Sequence, residues 1–252
     1  VVNAAYGIAN QVNSQLRLFS EAMLQSIQPQ MVKNESGGDR SRVLRLSIIS
    51  SKFAFFIFSI FAIPIFLELE FIIDLWLVDV PSSTIIFCKL MIILTLVQQF
   101  RAGITIATHA IGKIKEYQFF NAPVQLMSLP LGYILLYIGL PSYYIVIAVI
   151  FIEIITVFLN IFFFKRITMF SPSKYIKDVV LNCSLSFLLS LGLVYMIQSL
   201  LNEVIEDYVR VILIFPISML LYPVMIYFLS LTIEEKDTMK SVMNSLVAKI
   251  NK

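Results

Sequence analysis

Polar residues recur along the start of the chain at helical spacing. Asn3, Tyr6, Asn10, Asn13, Arg17, Ser20, Glu21 and Gln28 follow one another at intervals of three, four or seven positions, apart from the adjacent Ser20 and Glu21. At about 100° per residue they share one stripe of a helix over 2–30, with Ala5, Ile8, Val12, Leu16, Phe19 and Met23 roughly opposite. Downstream the pattern changes. Apolar runs of roughly the 20 residues needed to cross a bilayer occupy 44–67, 84–108, 117–138, 142–164, 178–200 and 208–231. The prediction is an all-α, polytopic transmembrane bundle of about seven helices. A polar first helix ahead of true spans faces either the membrane surface or a water-filled cavity, and the second arrangement belongs to transporters.

Composition agrees with a membrane chain. Hydrophobic residues make up 59% and charged residues 14%, against about 45–50% and about 25% in soluble domains. The charges then set orientation. Of the 19 basic residues, 14 fall in 31–45, 113–115, 165–177 and the tail from 236 onward. The intervening loops 68–83, 139–141 and 201–207 hold no Lys or Arg, and two of them are acidic. The positive-inside rule makes the basic side cytoplasmic, and the strict alternation supports the helix count. With topology and lipid headgroups accounting for the basic residues, a net charge of +3 calls for no nucleic-acid partner. Cys88 and Cys183 lie inside apolar runs and His109 is the single histidine, so neither a disulfide nor a metal site is expected, and no cofactor.

Smaller features refine this outline. Residues 31–43 form a hydrophilic, turn-rich connection containing Asn34 to Asp39. Phe71, Ile72, Leu75 and Trp76 beside acids predict an interfacial helix on the outer side. Pro64, Pro123, Pro130, Pro216 and Pro223 lie in or near spans as candidate kinks. Thr232 and Glu235 read as a capping box. Beyond them, Met239, Val242, Met243, Leu246 and Ile250 give a short helix lying on the inner surface.

Three further spans carry polar stripes: Gln98, Arg101, Thr105 and His109; Gln118, Asn121, Gln125 and Ser128; and Glu153, Thr156 and Asn160. An ionised group exposed to lipid near the bilayer centre costs at least about 2.5–3.5 kcal/mol. Turning Arg17, Arg101 and Glu153 inward, to water or to one another, removes most of that penalty. Each has a plainer alternative. Arg101 is within snorkelling reach of the cytoplasmic headgroups, Arg17 is open to a helix-packing role, and Glu153 is a packing partner for either arginine as well as a candidate for ion coupling. Lys89 and Lys52 lie near span ends, where snorkelling accounts for them, and His109 reads as interfacial. The Asn and Gln side chains also serve as interhelical glue.

The stretch Ala4-Ala5-Tyr6-Gly7-Ile8-Ala9-Asn10-Gln11-Val12, then Pro29-Gln30 with a basic glycine-containing connection, and Ala110-Ile111-Gly112-Lys113-Ile114-Lys115 after a polar helix resemble the polysaccharide-repeat (O-antigen, lipid-linked oligosaccharide) flippases. These belong to the multidrug/oligosaccharidyl-lipid/polysaccharide exporter superfamily. The resemblance runs over nearly the whole chain through loose motifs, strongest in the first helix. It implies a MATE-like, two-lobed transporter of the bacterial cytoplasmic (inner) membrane. The chain opens inside a helix with Val1 and is expected to be a C-terminal portion, with the N-terminal lobe and one further helix as missing partners. Residues 1–164 would then be the C-terminal transport lobe lacking its first helix, 165–231 an extra transmembrane pair, and 232–252 a cytoplasmic amphipathic tail.

The implied activity is alternating-access translocation of an oligosaccharide on a polyprenyl pyrophosphate, with membrane lipids as surroundings. It is transport, not enzymatic catalysis. Arginines suit a pyrophosphate leaving water because their fork binds phosphate bidentately, and Asn and Gln suit sugar hydroxyls because each donates and accepts. The expected substrate-binding set is Arg17, Arg101, Asn10, Asn13, Gln98 and Tyr6, lining one hydrated cleft. Two rivals predict other residues. A multidrug or cation antiporter of the same superfamily calls for acidic and aromatic cavity residues, and a membrane polysaccharide polymerase or ligase calls for a large outer loop with catalytic Arg or His.

Overall fold

The computed structural model describes residues 1–168, 170–232 and 235–237, and every regular element among them is helical. α1 (Val2–Ser36), α2 (Arg40–Leu67), α3 (Leu69–Trp76) and α4 (Thr84–Ala110) are followed by α5 (Ile114–Leu126), α6 (Ser128–Tyr137) and α7 (Tyr144–Thr168). A short α8 (Pro172–Tyr175) runs through a π-turn into α9 (Asn182–Asn202), and α10 (Asp207–Met225) ends in a second π-turn, Ile226–Ser230. Six stretches among the described residues are long and apolar enough to cross a membrane: α2, α4, α5–α6, α7, α8–α9 and α10 with its π-turn. The chain is a multi-pass membrane protein. All seven predicted helices are present, and the first is the one too polar to count as an ordinary span.

Local sequence explains most boundaries and two departures. The connection expected over 31–43 shrinks to residues 37–39. α1 runs through Pro29, because losing one backbone donor does not stop residues that otherwise favour helix. Asn34 also donates back to the Gln30 carbonyl (2.7 Å), and Met31 is buried beside Val43 in an inner core cluster. Gly38 then takes a positive φ of 77°, a conformation that suits glycine. Asp39 starts α2 by accepting from the Arg42 N–H (3.1 Å), the usual way a cap satisfies an orphan donor. The second departure is in the span predicted over 117–138, which breaks between Leu126 and Ser128. Pro130 has no N–H for the Leu126 carbonyl, so the ladder is interrupted there. The short helix expected around Phe71 to Trp76 is present as α3, with Leu69 and Ile73 buried and Leu75 and Trp76 exposed.

α1, α2 and α4 pack on one another at the centre of the bundle. α7 lies along α4 and carries α5 and α6 on its back, while α9 and α10 pair against α2. Burial follows this order. In α2, 61% of the membrane-length window is buried, against 11% for α5–α6, so the latter is an exposed edge of the bundle. The α2–α4 crossing is close because Gly103 lacks a side chain. A Cβ there would overlap the Ser47 carbonyl oxygen and stand 2.9 Å from the Ser51 backbone nitrogen. The Gly103 N–H instead donates to Ser51 Oγ (2.8 Å), and the Tyr175 hydroxyl bridges that oxygen (2.6 Å) and the Phe100 carbonyl (2.7 Å).

Two long-range ion pairs fix the periphery. Glu68, buried at the outer end of α2, accepts from Arg210 of α10 (2.9 Å) and Gln198 of α9 (3.0 Å). Lys52, which the sequence places at a snorkelling position, is instead 0% exposed and paired with Glu235 at 2.6 Å. The capping box is formed, with the Thr232 N–H donating to the Glu235 carboxylate (2.8 Å). The amphipathic face expected over Met239 to Ile250 lies outside the described residues.

Candidate functional site: the groove between α1 and α7

α1 and α7 both pack along α4 rather than on each other, which leaves a groove with α4 as its floor. At the end that the loop charges mark as outer it holds a cavity of about 270 Å³, lined by Asn3 and Tyr6 of α1, Phe87, Met91 and Leu94 of α4, Ile145 and Val149 of α7 and Ser142 just before it, among others. The N-terminal ends of all three helices therefore meet at one end of the bundle, as the alternation of loop charge requires.

Helical phase carries each wall inward from there. Tyr6 leads to Asn10, Asn13 and Arg17; Met91 and Leu94 lead to Gln98, Arg101 and Thr105; Val149 leads to Glu153, Thr156 and Asn160, all at steps of three or four. The groove is mostly apolar at its outer end; at mid-depth Asn10 is exposed and Arg17 partly so on α1, while Asn13, Glu153, Thr156 and Asn160 are buried in helix contacts. The Thr95 hydroxyl donates to Asn13 Oδ1 (3.0 Å) and fixes the level of α1 against α4. Arg17 lies four residues below that bond on α1 and Arg101 six below it on α4. The two arginines thus stand within about 3 Å of the same depth along the helix axes.

The six residues expected to bind substrate do different work. Tyr6 rests its ring edge-on against Phe87 at 6.0 Å and, like Asn10, is exposed. Asn13 is buried in the α1–α4 seam. That seam is Ala5, Ala9, Asn13, Leu16 and Ser20, mostly small residues that let helices approach closely. Asn13 and Ser20 therefore leave the polar stripe for packing. Phe19, expected on the apolar side, is exposed and stacks on Phe61 at 4.8 Å. Gln98 is half-buried on α4.

Arg17 pairs with Glu21 of its own helix at 2.8 Å, with side chains 40% and 43% exposed. Arg101 turns toward α7 and pairs with Glu153, their side chains only 17% and 6% exposed. It also donates to the Tyr117 hydroxyl of α5 (3.2 Å), which lies 2.7 Å from the Thr105 hydroxyl. Below them Asn121 of α5 donates to Asn160 of α7 (2.9 Å). The charge of Glu153 is thus matched by Arg101, and the pair ties α4, α5 and α7 together.

Tyr117, Glu68, Gln198 and Arg210 were not singled out by residue pattern. Tyr117 sits one position before the polar stripe that opens at Gln118, so the pattern passes over it. Glu68 and Arg210 are 142 positions apart, so nothing local pairs them. The outer face of α1, with Asn3, Asn10, Gln11, Ser14 and Gln25, is exposed, and among the described residues no element covers it. Among the described residues no group of His, Cys, Asp and Glu is gathered to hold a metal, and both cysteines are free and buried. Compared with protein-family models, curated proteins and solved structures, this chain finds no match.

Proposed function

We propose that the chain is the C-terminal part of a flippase that moves polyprenyl-pyrophosphate-linked oligosaccharide repeat units across the bacterial cytoplasmic membrane. The observation that carries this reading is the polar flank of α1, which faces an open groove and holds Arg17 at mid-depth with only an exposed partner. Lipid does not solvate such a flank, so it faces water or a polar cargo. An exposed i,i+4 ion pair is worth only about 0.3–0.5 kcal/mol. Arg17 is therefore able to exchange Glu21 for a phosphate at little cost, whereas Arg101 is bound to a buried carboxylate. In this reading Arg17 holds the pyrophosphate, Asn10, Gln98 and Tyr6 meet the sugars, and Arg101 with Asn13 keeps the walls in place. The sequence resemblance supplies the cargo class, and alternating access against an N-terminal lobe supplies the cycle.

The rival readings lack support of this kind. An antiporter needs a carboxylate free to take a cation, and Glu153 is occupied by Arg101. A polymerase or ligase needs a large outer loop, and the connections at 77–83, 138–143 and 203–206 are short.

The test is Arg17→Ala and Arg17→Lys in the full-length protein. The alanine variant is expected to abolish surface glycan at unchanged protein level, with lipid-linked repeats accumulating on the inner leaflet. Lysine keeps the charge without the bidentate fork, so partial display should survive. Normal glycan display in the alanine variant would refute the assignment.

A further inference from the structure

A second groove, remote from the first, runs between α2 and α10 on the lipid-facing side of the bundle. It encloses about 230 Å³ and is apolar, with Phe53, Ile57 and Ile60 on one wall and Pro223, Tyr227 and Leu231 on the other. Leu220, Val224 and Phe228, the neighbouring outward positions on α10, are exposed. In a multi-pass protein such a surface meets acyl chains. On α2 the groove sits at mid-helix and on α10 at the C-terminal end, the end that leads into the basic tail, so it reaches into the cytoplasmic leaflet.

Its mouth carries a positive charge held in place. Glu235 takes the buried Lys52 ammonium at 2.6 Å and accepts the Thr232 N–H at 2.8 Å. The next residue, Lys236, is thereby set with its ammonium 4.9 Å from the centre of the Tyr227 ring, a cation–π distance. Tyr227 is itself a groove wall, so the charge stands at the edge of the apolar channel. Among the described residues no carboxylate pairs with Lys236. We infer that the α2–α10 groove binds one anionic phospholipid of the cytoplasmic leaflet, an acyl chain lying along Phe53, Ile57 and Tyr227 and the headgroup phosphate meeting Lys236. Lys52 acts indirectly, by fixing Glu235 beside the lysine. This site does not depend on the flippase reading, and neither result bears on the other.

The full-length protein, reconstituted in nanodiscs of mixed phosphatidylglycerol and phosphatidylcholine, is released into native mass spectrometry and the retained lipids are counted. Wild type is expected to keep one phosphatidylglycerol in preference to phosphatidylcholine. Lys236→Gln should lower that preference about fivefold, the loss of one lysine's attraction for an anionic headgroup, and Lys236→Arg should keep it. Ile57→Trp fills the channel and should remove the retained lipid of either kind. An unchanged preference in Lys236→Gln, equal retention of both lipids by wild type, or an undiminished lipid count in Ile57→Trp each overturns the site.

Discussion

Removing the Glu153 carboxylate should destabilise the bundle far more than an ordinary interhelical hydrogen bond does. Glu153 and Arg101 are both largely shielded, with side chains 6% and 17% exposed. Glu153→Ala leaves the guanidinium facing α7 with the Tyr117 hydroxyl as its remaining partner from another helix. Breaking one side of a buried pair costs about 3–5 kcal/mol because the surviving charge is uncompensated. Hydrogen bonds between membrane helices average about 0.6 kcal/mol, so the two accounts differ severalfold. The pair can also be removed whole. Arg101→Met with Glu153→Leu takes out both charges at similar volume, and such replacements are often neutral or stabilising. The double variant should therefore recover most of the loss, leaving a coupling of at least about 2 kcal/mol in the cycle. Cys88 and Cys183 are buried and free, so thermal unfolding of the detergent-solubilised protein can be followed by their reaction with a thiol dye. An unshifted melting temperature for Glu153→Ala, or a double variant no more stable than the single, refutes the ion-pair account. Lost transport in Glu153→Gln at unchanged stability would instead identify a coupling carboxylate.

Three further outcomes follow from the packing. Gly103→Ala forces α2 and α4 apart, since the clash is with backbone atoms of Ser47 and Ser51. It should cost about 1–3 kcal/mol in the same melt, and a fully stable alanine variant would contradict the close crossing. Glu68→Ala deprives Arg210 of its buried partner, but Asp207 and Asn202 still accept from it. A moderate loss of about 1.5–3 kcal/mol is expected, seen as faster hydrogen exchange at the outer ends of α9 and α10 with α4 unaffected. For topology, cysteines replacing Asn34, Ile114 and Pro172 should be protected in intact cells and those replacing Ser82 and Glu203 should react with an impermeant label. The opposite pattern inverts the orientation.

Hydropathy alone located the spans, because that signal is local and the bilayer imposes a length on every segment separately. The polarity of α1 was likewise readable, and so was the short helix α3. The finer phase of α1 was not. Asn13 and Ser20 look like members of the polar stripe, yet they lie in the seam with Ala5 and Ala9, because small polar residues serve close helix packing as well as alanine does. The end of α1 moved from 30 to Ser36 and the third apolar run split at Met127, each decided by how neighbouring residues meet around a proline. What no local pattern contains is partnership. Lys52 meets Glu235 and Arg210 meets Glu68 across 183 and 142 positions, and Arg101 chooses Glu153 over open water. Those choices depend on which helices stand side by side. Only packing around α2 and α4 brings the charges close enough for attraction to outweigh their loss of water.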